Sequence, residues 1–393
     1  MNYQNVLNQK ILPLTFFVVC FSLMMKTAVF SILMTLLILL FFLSGQYKRK
    51  IDLMANSPAV AAPLILFSLL AIGMLYASVP WHEKLPMFLK YHKLLYIPIV
   101  ISIVQTEQHR KYAMNAFLIA AIVVLFLSYL ELLGVVPFKD TGQGYIVTKG
   151  RIAHNIIMAF TTFLMLHRMI SSRGRQKWAW LVLSLMAIAN IFFMVNGRTG
   201  QVILLLLIIL FAWQVWRFGA IKYLVVFAMM AFLLPKFTHF ESIVRLQGTY
   251  QEAQDPNDSA GMRMTFYKNT FQIIKENALF GVGTGGFRSA YHQQIQNKSN
   301  VYETANPHNE YLRISAEIGL VGLAAFLFLL SSQWRLSFQL PSVNDRHILQ
   351  GLILCFSVGC LMNSLLLDAA EGRFYSILAG VLLSGLRSRR PAS

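Results

Sequence analysis

The sequence predicts an all-α polytopic integral membrane protein, with about twelve transmembrane helices and one large outward loop containing short helices. Three observations carry this reading. The 393 residues are 56% hydrophobic and only 13% charged, against about 25% charged in a soluble domain. Apolar runs of membrane-spanning length recur between short charged clusters, and they are continuous rather than alternating, which argues against strands. One long polar stretch, 236–315, breaks the pattern.

Taken in order, spans are expected at 9–25, 27–44, 59–78, 88–106, 113–134, 153–170, 178–197, 199–216, 219–235, 316–333, 347–367 and 374–388. The first two form a tight hairpin around Lys26. The chain thus divides into 1–235 with nine spans, the 236–315 loop, and 316–393 with three spans and a basic tail. Lys10 precedes an apolar run, but no small-residue cleavage site follows it, so no cleavable signal peptide is expected. Cys20, Cys355 and Cys360 lie inside apolar runs, which speaks against a disulfide framework or a thiolate metal site.

Charge assigns the sides. With an even number of spans both termini share one side. The segments on that side hold 17 basic and three acidic residues, a net of +14, and the opposite segments carry a net of +4. Basic short loops mark the cytoplasm, so both termini are expected there and the 236–315 loop faces outward. Topology and contact with anionic membrane lipids account for the +18 total without nucleic acid. An outward site has no nucleotide pool. Gly281, Gly283 and Gly286 spell G-x-G-x-x-G, but no βαβ unit surrounds them. A glycine-rich turn whose backbone N–H groups approach a partner is the better reading.

What remains is a set of cations at outward helix ends. Arg198 sits in NGRTGQ (196–201), between two spans with almost no loop, where an arginine is costly unless it meets an anion or water. Arg151 opens another span from the same side, in KGRIAHN (149–155). Lys90 and Lys93 lie one turn apart at the start of the fourth span, and Arg263 lies in the loop. Any one of these can be a snorkelling anchor; several on one face suggest a polyanion site, and the arginine fork fits phosphate oxygens. A polyprenyl-diphosphate sugar is part lipid and part phosphate. His308, in N-P-H-N-E-Y-L directly before the tenth span, suits proton transfer at neutral pH. Asn306, Asn309 and Glu310 are placed to orient it or a sugar. His154 is a weaker outward candidate. Met262, Phe266, Phe271, Ile273 and Ile274 are expected to lay a helix over 262–278 along the membrane surface, and 308–315 to form a second surface helix. Trp81, Tyr267 and Tyr311 are candidates to stack on sugars, and 241–260 is a candidate lid.

Four local patterns, with the span layout, carry a family resemblance: R-x-x-x-N at Arg151–Asn155, N-G-R-T-G at 196–200, G-x-G-T-G-G-F at 281–287 and P-H-N-E-Y-L at 307–312. The chain resembles the O-antigen ligase family, in the superfamily that also holds O-antigen polymerases and protein O-oligosaccharyltransferases. The resemblance implies a periplasmic glycosyltransferase in the inner membrane of a Gram-negative bacterium. It would move O-polysaccharide from undecaprenyl diphosphate to a sugar hydroxyl of lipid A–core, inverting the anomeric centre, with no metal, nucleotide or other cofactor. Carried over by motif, His308 is the general base. Arg198, Arg263 and Arg151 bind the diphosphate, with Lys93 and Lys90 as further candidates, and Asn309, Glu310, Tyr311, Gly283 and Gly285 support the site. Polymerase and protein O-oligosaccharyltransferase stay open, because all three need the same diphosphate site. A lipid-linked sugar transporter or flippase also stays open, although no internal repeat is evident.

Overall fold

The computed structural model of the chain describes residues 3–137, 144–195, 197–217, 258–298 and 301–389. Among them there is no strand, only an isolated bridge pairing Gly144 with Val195. The α-helices run in chain order: α1 Tyr3–Val6, α2 Leu12–Ser22, α3 Thr27–Leu43, α4 Tyr47–Ala55, α5 Ala61–Tyr76, α6 Trp81–Leu89, α7 Tyr96–Ile103 and α8 Glu107–Leu132. They continue with α9 Arg151–Ser171, α10 Gly174–Ala189, α11 Arg198–Trp216, α12 Ser259–Glu276, α13 Phe287–Ile295, α14 Glu310–Ser337, α15 Val343–Met362 and α16 Ala369–Leu383.

Six segments among the described residues are long and apolar enough to cross a bilayer: Gln4–Ser22, Glu107–Leu132, Gly174–Met194, Arg198–Trp216, Glu310–Ser337 and Val343–Met362. A seventh candidate is α3 with α4, bent by 112°. Each expected span has helix at its place except 219–235, which lies outside the described residues, as do Asn196 and 236–257 of the loop with most of the candidate lid. Lys26 caps α3, and the first hairpin is as tight as expected. The fourth span is not one helix. It breaks into α6, a 3₁₀ stretch over Lys90–Leu95, and α7. Pro98 lacks the N–H that a continuous α ladder would donate to Leu94 O, in the 3₁₀ stretch. The expected surface helix over 308–315 is also absent. Its residues open α14, which runs on to Ser337 through a kink at Ile318 and Gly319.

The span-length helices show apolar side chains such as Ile32, Leu75 and Phe328 on the outside of the bundle. The interior helix is α9. Its His154, Asn155, Thr161 and Thr162 are fully buried, which a helix walled by its neighbours tolerates when each polar group finds a partner. Among the described residues, several contacts join loop segments that the charge count assigns to the same side. On one side Thr148 Oγ1 donates to Met24 O at 2.5 Å, Arg373 to Thr27 O at 3.2 Å and Tyr76 Oη to Phe280 O at 2.5 Å. On the other, Asn8 Nδ2 donates to Ser44 O at 2.7 Å, Arg49 to Gln105 at 2.6 Å and Arg168 to Asn115 at 2.6 Å, and Arg110 pairs with Asp345 at 3.6 Å.

The described part of the loop, 258–298 and 301–309, has a small core of its own. Phe266, Ile273 and Ile274 of α12 pack with Phe287, Tyr291 and Ile295 of α13 and with Ala316. This corrects the expectation that the apolar face of α12 lies on lipid: most of that face is inside the protein, although Phe271 stays exposed.

Candidate active site

Two of the arginines are placed by helix starts. Arg151 is the first residue of α9 and Arg198 the first of α11. One turn into α9, buried Asn155 donates from Nδ2 to Val195 O at 3.2 Å and Gly197 O at 3.3 Å. It thereby ties Val195 and Gly197, just before Arg198, to the helix that carries Arg151. Gly200 packs directly on this residue: a Cβ there would lie 2.4 Å from Asn155 Cβ. The positive ends of both helix dipoles therefore lie beside the two guanidiniums.

Arg263 comes from α12 and joins them. Burial is the main cause that lowers its pKa, and the positive charges of Arg198 and Arg151 lower it further. Three guanidiniums thus stand within electrostatic reach of one another.

His308 belongs to the same group. Its backbone is left-handed, with φ of +56°, a conformation uncommon outside glycine and kept only where the surroundings impose it. Here Asn306 Oδ1 accepts from His308 N at 2.9 Å and from Ser364 Oγ at 2.7 Å. Tyr267 Oη, one turn after Arg263, shares its proton between His308 O at 3.3 Å and Leu361 O at 3.2 Å. The imidazole faces the Phe266 ring with centroids 6.2 Å apart. Burial first, and then the Arg263 charge, hold its pKa below the ordinary 6.5. At neutral pH the ring is uncharged and able to accept a proton. The next residue, Asn309, caps α14: its Oδ1 accepts from Leu312 N at 3.1 Å and its Nδ2 donates to Leu361 O at 3.0 Å.

Other expected members lie elsewhere. Glu310 points inward, fully buried, and its Oε2 accepts from Leu366 N at 2.7 Å; it neither orients the imidazole nor faces a sugar. Tyr311 Oη donates to Ser357 O at 3.1 Å. Lys93 is buried and gives its ammonium protons to Leu367 O and Asp368 O at 3.1 and 2.9 Å. Lys90 is exposed and acts on the same Asp368. Both lysines act on Asp368. His154 bonds to Asn190 Oδ1 at 2.8 Å inside the bundle. Trp81 lies beside the Lys84 ammonium, 4.6 Å from ring centroid to Nζ.

The glycine turn does bring backbone N–H groups to a partner, and the partner is the protein. Val282 N donates to Ala316 O at 2.9 Å, Gly283 N to Glu317 O at 2.8 Å, Thr284 N to Gly73 O at 3.0 Å and Gly285 N to Glu317 Oε1 at 3.0 Å. Gly283 has φ of +87°, and a Cβ there would lie 2.4 Å from Ala77 Cα. Gly285 has φ of +88°, and its Cβ would lie 2.7 Å from Lys84 Cα. The turn is a lock between the loop, α5, α6 and α14.

Sequence reasoning gave no role to Asn155, although the four-residue spacing from Arg151 is one helical turn and signals a shared face. It also passed over Arg313 and Glu317, a fully buried ion pair at 2.7 Å one turn apart on α14.

Residues 181–327 match the family model described as O-Antigen ligase, a segment that includes Arg198, Arg263 and His308 but not Arg151. An uncharacterized protein of Haemophilus influenzae is 33% identical over 85 residues, which is 21% of this chain and 21% of that protein. The chain therefore spans about a fifth of the length of that curated relative. A solved structure described as a peptidoglycan synthase complex that coordinates polymerization and crosslinking aligns with TM-score 0.49 and 12% identity, over 82% of this chain and 96% of that one.

Proposed function

Through residues 181–327 the chain belongs to the O-antigen ligase superfamily of glycosyltransferase-like membrane enzymes, and from that premise we propose that it is the ligase itself. It transfers O-polysaccharide from undecaprenyl diphosphate to a sugar hydroxyl of lipid A–core at the periplasmic face of the inner membrane. The observation that supports this best is the convergence of Arg151, Arg198 and Arg263 on the face that also carries His308. Three forked cations suit a diphosphate better than any neutral sugar.

In this reading the residues divide the labour. Neutral His308 takes the proton of the acceptor hydroxyl. The oxygen attacks the anomeric carbon, and the carbon–oxygen bond to the diphosphate breaks on the opposite face, inverting the centre. The diphosphate leaves with the bonding electrons, and the arginines hold the charge that develops, the larger of the two contributions. His308 then returns its proton to solvent. No metal or nucleotide is required, because the diphosphate is already a leaving group. In this reading the chain has twelve spans, with the loop and both site-bearing helix starts in the periplasm and both termini in the cytoplasm.

The test is the glycan left on the polyprenyl carrier in cells lacking the gene. Long polymer on the carrier, with bare lipid A–core, is the expected result. Single outward-facing repeat units would reassign the chain as a polymerase. Single units retained on the cytoplasmic side would make it a flippase and remove the catalytic role of His308.

A further inference from the structure

Behind His308, on the first two turns of α14, Arg313 and Glu317 form an ion pair at 2.7 Å with both side chains at 0% exposure. A buried pair of this kind gives little net stability, because the desolvation it costs is comparable to the attraction it gains. What it does hold is specific. Arg313 donates to Ala305 O as well as to Glu317 Oε1. The same Glu317 Oε1 accepts from Gly285 N at 3.0 Å. The Arg313 guanidinium carbon also lies 4.9 Å from the centroid of the Phe287 ring, the first residue of α13. The pair thus ties the segment that leads into His308 to the glycine turn and α14, which Val282 N and Gly283 N already hold together. Ala305 is anchored three residues before His308. Asn306, the next residue, supplies the Oδ1 that holds His308 N.

We propose that Arg313 and Glu317 are positioning residues, which fix the 305–308 segment so that the His308 backbone keeps its left-handed conformation and aims the imidazole at the acceptor hydroxyl. They do not touch substrate; they act through His308. The inference rests on the transfer reaction proposed above for its catalytic consequence, but the positioning itself can be read without turnover.

The experiment uses the full-length protein in detergent or nanodiscs. The main variant is the double replacement Arg313→Met with Glu317→Met. It removes both charges together and leaves neither one orphaned in the interior, so folding survives where a single replacement would strand a charge. Arg313→Lys is the conservative companion: it keeps the charge but cannot serve Ala305 O and Glu317 together in the same geometry. Two readouts are made. One is carbethoxylation of His308, followed by mass spectrometry of its peptide across pH. The other is transfer from a purified undecaprenyl-diphosphate-linked oligosaccharide to lipid A–core, with kcat separated from the donor KM.

The expected result for the double variant is an unchanged melting temperature, a severalfold change in the His308 modification rate, and kcat at least 10-fold lower at constant donor KM. Arg313→Lys should fall between it and the unchanged protein. A double variant that keeps both the modification profile and kcat overturns the proposal and leaves the pair as packing. If the double variant does not fold, Arg313→Lys decides: an unaltered His308 profile there overturns it equally. A wild-type protein that transfers no glycan, in which His308 reactivity still depends on the pair, would sink the ligase reading and retain the positioning.

Discussion

At the scale of single residues, the proposed mechanism depends on one neutral imidazole beside the Arg263 charge. A base works only when unprotonated, so transfer should fall as pH drops through the His308 pKa, which lies below 6.5 because of burial and Arg263. The acid limb of kcat/KM therefore belongs below pH 6.5, with no loss between neutrality and mild alkali. In Arg263→Gln one of the two causes disappears and burial remains, so the limb should move partway toward neutral pH while overall activity drops. A limb that stays in place, or moves to lower pH, would disconnect the two residues. His308→Ala should reduce transfer by about 10²–10⁴-fold and still bind undecaprenyl diphosphate; full activity would remove its role as base. Arg198→Lys keeps the charge but loses the two parallel hydrogen bonds that a guanidinium gives a phosphate. It should therefore lose most of the turnover, and wild-type rates in that variant would reduce Arg198 to a point charge. Arg198 and His308 stand out in the sequence because each sits at a chemical boundary, where apolar span meets polar turn. Lys90 and Lys93 met the same criterion, yet both act on Asp368. A sequence shows that a cation lies at a helix end; it does not show which carbonyls the facing helix brings to it.

At the scale of elements, the glycine turn over 281–286 decides whether the loop docks. Gly283→Ala would place a Cβ 2.4 Å from Ala77 Cα in a left-handed conformation. The backbone preference alone costs about 1–2 kcal/mol, and the clash with α5's end adds to it. The variant should melt well below the parent in a detergent thermal scan, and an unchanged melting curve would mean that the turn is not the lock the structure shows. The sequence revealed this turn as an element but not what it touches, because the partners are backbone groups of Gly73, Ala316 and Glu317, far apart in the chain. The same limit hid the buried pair. A spacing of four puts Arg313 and Glu317 on one face of a helix but does not say what covers that face; Phe287 of α13 and Ala305 lie against it. The orientation of α12 escaped for a related reason. Apolar residues on one face of a helix fit a membrane surface and a small protein core equally well, and Phe287, Tyr291 and Ile295 supply the core.

At the scale of the whole molecule, the chain's charges divide its loops into two sets. Among the described residues, several contacts join segments within the net +14 set of loops, and several within the net +4 set. Positive loops stay on the cytoplasmic side because moving them across the membrane is unfavourable, so the division makes a prediction about compartments. It can be tested cleanly because Cys20, Cys355 and Cys360 are all buried and should not compete for a thiol reagent. Gln293 on α13 and Gln176 on α10 are exposed and lie in opposite groups of loops. In cells whose outer membrane alone is permeabilised, Gln293→Cys should react with a membrane-impermeant maleimide. Gln176→Cys should react only after the inner membrane is opened. Reaction of both in intact inner membranes would break the alternation of spans, and with it the common compartment of Arg151, Arg198, Arg263 and His308. Exchange of the two results would invert the protein. The site would then face the cytoplasm, and a polyprenyl-linked donor would have to be used before it crosses the membrane, which removes the case for transfer to a mature lipid acceptor outside.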